Sequence, residues 1–85
     1  MEEKIREILA ESAGVEQEEL LEETRLVADL GLTSFDLSDI VVAIEEEFEI
    51  KIPDAIFPEI QTVGDVLRVV KEVQENGTIQ PSEPE

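Results

Sequence analysis

The sequence contains no cysteine, histidine, tryptophan or tyrosine, and only six basic residues. Without His or Cys there is no Ser-His-Asp triad, no Cys-His pair and no ordinary zinc site, so self-contained nucleophilic catalysis is not expected. Without Cys there are no disulfides, and the charged start Met1-Glu2-Glu3-Lys4 carries no apolar signal-peptide run, which together lead us to expect a cytoplasmic protein. No apolar stretch approaches the roughly 20 residues that span a bilayer. The four glycines stand far apart, at Gly14, Gly31, Gly64 and Gly77, and form no phosphate cradle. The acidic runs Glu16 to Glu23 and Glu45 to Glu49 lack the alternating ligands and central glycine of a calcium loop, so no dedicated metal site is expected.

What the chain does contain is acid. Six basic against twenty-three acidic residues give a net charge of −17, a field that repels nucleic acid and anionic membranes and attracts basic protein surfaces. Eighty-five residues, 41% of them apolar, suffice for one small core and leave no room for a second. We expect a monomer with one domain over residues 1–77 and a flexible tail over 78–85, where Pro81, Pro84 and two glutamates surround a single Ile.

Hydrophobic spacing outlines an all-α bundle of three main helices and one short helix, with a long loop between helices one and two. Ile5, Ile8, Leu9 and Ser12 recur at helical intervals from Glu2 to about Ser12, before Gly14. From Val15 to Thr33 the charged residues are interrupted by Leu20, Leu21, Leu26, Val27, Leu30 and Leu32, too many apolar groups for a solvated linker. Thr33-Ser34-Phe35-Asp36 has the form of a capping box and opens a helix to about Glu49, with Leu37, Ile40, Val41, Ile44 and Phe48 on its core stripe. At about 100° per residue the opposite side gathers Phe35, Asp39, Val42, Glu46 and Glu49, a face with no core to serve. Pro53 followed by Pro58 limits the next helix to about one turn. Thr62-Val63-Gly64-Asp65 is a second capping box, and Val63, Val66, Leu67, Val70 and Val73 carry the last helix to about Glu75, ahead of Asn76-Gly77.

Ser34 is the chemical candidate. It stands after the Gly31 turn at the start of a capped helix, where free backbone amides favour an attached anion such as a phosphate ester. Serines at helix starts are commonly plain caps or first-turn residues, and spacing alone does not separate these readings.

The segments Asp29-Leu30-Gly31-Leu32-Thr33-Ser34-Phe35, Ile40-Val41-Val42-Ala43-Ile44-Glu45-Glu46-Glu47-Phe48 and Ile52-Pro53-Asp54 strongly resemble the acyl carrier proteins. The likeness covers about residues 3 to 75, including the Gly14-Val15 junction and the Thr62-Val63 helix start. In that family the serine of an Asp-Ser-Leu motif carries 4′-phosphopantetheine, donated by coenzyme A, whose thiol holds acyl groups as thioesters; by position that serine is Ser34. The resemblance implies a carrier and not an enzyme, serving fatty acid or specialised, polyketide-type biosynthesis. Its implied partners are a phosphopantetheinyl transferase and acyl-transferring or synthase enzymes with basic docking patches. Phe35 and Val42 would supply apolar contacts to such patches, and Asp36, Asp39, Glu45 and Glu46 charge steering. An amino-acyl or peptidyl carrier, or an unmodified module docking a basic partner, would use the same fold.

Three departures from the family pattern point to a specialised carrier. Thr33-Ser34-Phe35 replaces the usual Asp-Ser-Leu, Ala55-Ile56-Phe57-Pro58 replaces an acidic small-residue stretch beside the acyl cavity, and Ser38 places a hydroxyl where a pocket-lining apolar residue is common.

Overall fold

A computed structural model describes residues 2–79. It contains helices α1 (Glu2–Ala13), α2 (Ser34–Phe48) and α3 (Val63–Asn76), with 3-10 segments at Gln17–Glu19 and Asp54–Glu59. Among the described residues there is no strand, and an isolated antiparallel bridge joins Arg25 to Thr62. The fold is the expected all-α bundle.

Each helix is amphipathic, and its apolar stripe meets the others in one core. Helix α1 contributes Ile5, Leu9 and Ala10, with Ile8 half-buried. Ser12, expected on this stripe, is exposed near the end of α1, and beyond Ala13 the Gly14 and Val15 amides both donate to the Ala10 carbonyl. Helix α2 buries Ile40, Val41 and Ile44, with Leu37 and Phe48 half-buried at its two ends. In α3 the stripe is Val63, Val66, Val69, Val70 and Val73; Leu67 sits at its edge, and Val69 takes the core place beside it.

The long loop from Val15 to Thr33 packs through single anchors and not along its whole length. Leu20, Leu26 and Leu32 are buried, whereas Leu21 and Val27, expected to pack, are more than half exposed. Leu21 and Val27 each open a turn, with Thr24 N–H donating to the Leu21 carbonyl and Gly31 N–H to the Val27 carbonyl, and their side chains face water, whereas Leu30 is half-buried against the core. The loop is laced to its surroundings by backbone. Arg6 Nη1 of α1 donates to the Leu20 carbonyl at 2.6 Å, and the amides of Val63 and Gly64 donate to Thr24 and Glu22 at 3.0 and 2.9 Å. Gly64 is small for this reason, since a Cβ there would lie 3.1 Å from the Glu22 carbonyl oxygen.

The short helix differs from the expected single turn. It spans six residues, two turns of 3-10 geometry, with Pro58 inside. Its Ile56 N–H to Pro53 and Ile60 N–H to Phe57 bonds, both 3.0 Å, make no demand on the missing proline N–H. At the far end Ile79 is 4% exposed, so packing continues two residues past Gly77. The remainder of the expected tail, residues 80–85, lies outside the described residues.

Helix α2 ends on Glu49 in the left-handed conformation, with φ 55°. A side chain there costs about 1 kcal/mol relative to glycine, and a negative charge at a helix C-terminus adds to the cost. We therefore expect Glu49→Gly to stabilise the fold by about 0.5–1 kcal/mol in denaturant unfolding. Glu49→Gln, which removes only the charge, should give less; a Gly variant no better than Gln would contradict the conformational part.

Candidate functional site

The start of α2 is built by side chains that tie down its backbone. Thr33 is extended, its Oγ1 accepts from the Asp36 amide at 3.2 Å, and Asp36 Oδ2 accepts from the Thr33 amide at 2.9 Å. This reciprocal pair assigns the cap to Thr33 and leaves Ser34 as the first helical residue, with its side chain exposed. The Asp36 amide goes to the cap and the Leu37 amide to the Thr33 carbonyl, so the Ser34 and Phe35 amides remain as helix-end donors.

Two features lead the chain into this corner. Gly31 adopts φ 74°, a conformation that disfavours any side chain although the space beside it is open. Just before it, Asp29 receives a fork of hydrogen bonds from Arg25: Nε at 3.2 Å, Nη2 at 3.1 Å and the backbone amide at 2.8 Å. The Arg25 guanidinium, and then its amide, hold the Asp29 carboxyl below its ordinary range, while Asp29 raises Arg25 further. An Arg and an Asp four residues apart were the available sign of this turn, and spacing alone did not single them out.

The unpartnered side of α2 stands as its periodicity indicates. Phe35 is 85% exposed and Val42 51%, with Asp39, Glu46 and Glu49 exposed beside them. Asp36 and Glu45 sit differently. Both are half-buried and bound to backbone, Asp36 in the cap and Glu45 through Oε2, which accepts the Ile52 amide at 2.7 Å. That last bond ties α2 to the connection ahead of the short helix. It joins residues seven apart across a chain reversal, which no local pattern signals.

Between α2, α3 and the second connection the bundle holds a partly open apolar cavity of about 40 Å³, which reaches α2 at Leu37, three residues after Ser34. Its walls include Leu37, Ile40 and Ile44 of α2, Val69 of α3, and Phe57 and Ile60 of the second connection. Ser38 is exposed and does not line it, contrary to the concern raised by its hydroxyl. Among the described residues no group of three or more carboxylates is arranged to hold a metal ion, and no helix is long and apolar enough to cross a membrane.

Residues 3–70 match the family model described as a phosphopantetheine attachment site. The chain belongs to that family. It is 45% identical over 67 residues to the acyl carrier protein of Wolinella succinogenes, covering 79% of this chain and 88% of that protein. With the acyl carrier protein of Thermotoga maritima it shares 40% over 68 residues, covering 80% and 84%. Membership in the phosphopantetheine-attachment family brings a covalently attached 4′-phosphopantetheine and the role of a carrier and not an enzyme. The α2 corner fits such a group: it offers an exposed hydroxyl and free amide donors for a phosphodiester.

The Arg25–Asp29 fork predicts a pH signature. A carboxyl lowered in the folded state contributes stability above its unfolded value, ordinarily 3.8, and loses it as pH falls through the lower folded value. Asp29→Asn should therefore melt below wild type at neutral pH, with the gap closing as the pH drops below 3.8. A gap independent of pH would show that the charge contributes nothing.

Proposed function

We propose that this chain is an acyl carrier protein whose Ser34 hydroxyl accepts the phosphopantetheinyl group of coenzyme A. The supporting observation is that Ser34 is exposed at the first position of α2 while Thr33 does the capping, so the serine is spare for modification. The attached arm supplies a thiol that holds acyl groups as thioesters, which the cysteine-free chain does not itself possess. The Ser34 and Phe35 amides and the positive end of α2 favour the phosphodiester.

The work of the remaining residues is recognition. A phosphopantetheinyl transferase and acyl-transferring enzymes with basic patches would approach the face of Phe35, Asp39, Val42 and Glu46. The two apolar groups are available for burial there, and the carboxylates raise the rate of encounter. Asp36 and Glu45 act mainly by holding that face in shape. The apolar cavity between α2 and α3 shelters part of the carried chain. We assign the carrier to a specialised acyl pathway, on the strength of Thr33, Phe35 and Phe57.

Incubation with coenzyme A and a broad-specificity phosphopantetheinyl transferase should add one phosphopantetheinyl mass to wild type and none to Ser34→Ala. In the same assay Glu46→Lys should load more slowly at low salt, with the difference shrinking as salt is added. No mass gain on wild type would defeat the carrier reading, and gain on Ser34→Ala would misplace the site.

A further inference from the structure

The cavity between α2, α3 and the second connection has an inner part and a mouth. Ile40, Ile44 and Val69 are at most 2% exposed and form its floor. Among its lining, Leu37, Phe57 and Ile60 keep partial exposure and so mark the opening. Leu37 follows Ser34 by three residues, about 4.5 Å along the helix axis, so the mouth opens within one turn of the serine. An arm attached at Ser34 can fold back onto it.

Capacity is the limiting quantity. One water needs about 10–15 Å³ of such space, so 40 Å³ admits about three or four carbon-sized groups. The wall that could yield to admit more is the connection through the short helix, and it is pinned. Glu45 Oε2 holds the Ile52 amide at 2.7 Å, and Ile56 at the centre of the short helix is fully buried. Phe57, the next residue, therefore has a fixed place in the opening, and its ring takes up volume that a small side chain would leave to a ligand.

We propose that Phe57 sets an upper limit on the acyl chain this protein shelters, restricting it to short acyl groups of about four carbons, with longer chains left partly in water. This rests on the carrier reading of Ser34. Phe57 is a specificity-determining residue that acts by occupying the mouth, and Glu45 is a positioning residue that keeps the Phe57 wall in place.

The test loads wild type and Phe57→Ala with phosphopantetheine, butyryl-phosphopantetheine or octanoyl-phosphopantetheine from the corresponding coenzyme A thioesters. Intact mass confirms each product, and each melting temperature is compared with the same variant's unacylated loaded form, which cancels the cost of the substitution itself. In wild type, butyryl should raise the melting temperature by about 3 °C or more and octanoyl should add nothing further. In Phe57→Ala, octanoyl should exceed butyryl. Phe57→Leu serves should the alanine variant not fold. Methyl resonances of Ile40 and Val69 in wild type provide a second readout: butyryl should shift them, and octanoyl should shift them no more.

Octanoyl stabilising wild type beyond butyryl, or the two variants ranking the chains alike, would overturn the role of Phe57 while leaving the carrier reading intact. Failure of wild type to gain mass at all would remove the carrier reading and this inference with it.

Discussion

The reciprocal hydrogen bonds between Thr33 and Asp36 fix where α2 begins, and with that they leave Ser34 as an exposed first-turn residue and not the cap. Were the helix to start one residue later, Ser34 would be the cap, its oxygen turned to the backbone and unavailable to an enzyme. A capping interaction of about 1 kcal/mol thus decides whether Ser34 serves as the cap or stands free for the modification proposed for it. Gly31 and the Arg25–Asp29 fork act on the same outcome from the N-terminal side, by delivering the chain to Thr33 in an extended conformation.

Around that corner, charge and packing pull in opposite directions. A net charge of −17 on 85 residues disfavours compaction, and the core that opposes it consists mostly of Val, Ile and Leu, with no buried polar or charged residue among those described. The long loop does not loosen this core, because Leu20, Leu26 and Leu32 enter it while Arg6 and the start of α3 hold the backbone between them. Acids are spread over the whole chain, and three of them, Asp39, Glu46 and Glu49, lie exposed on the outer side of α2 beside Phe35 and Val42, where a basic partner would find them. Repulsion within the chain and attraction toward such a partner have one source.

Much of this was legible in the sequence because it is local. Both capping boxes join residues three apart, and both faces of α2 follow from a single period, so Thr33, Asp36, Ile40 and Ile44 on one count and Phe35, Asp39, Val42 and Glu46 on the other stand where spacing puts them. The illegible parts are those decided across the fold. Leu21 and Val27 read like Leu20 and Leu26, yet each opens a turn and faces solvent. Ser38 falls outside the cavity, whereas Phe57, in the stretch that the resemblance set beside it, lines it. Glu45 reads as one more surface acid on α2, and only the chain reversal brings Ile52 to it.

The dependence of Ser34 on its cap is tested most directly by the rate of phosphopantetheinyl loading of Thr33→Val and Thr33→Asp, measured alongside hydrogen exchange of the Asp36 amide. Valine keeps the shape of threonine but removes the accepting oxygen, whereas aspartate restores an acceptor. Thr33→Val should load several-fold more slowly with the Asp36 amide deprotected, and Thr33→Asp should recover both. Loading of Thr33→Val at the wild-type rate, with that amide exchanging freely, would contradict the claim that the cap is what presents the serine.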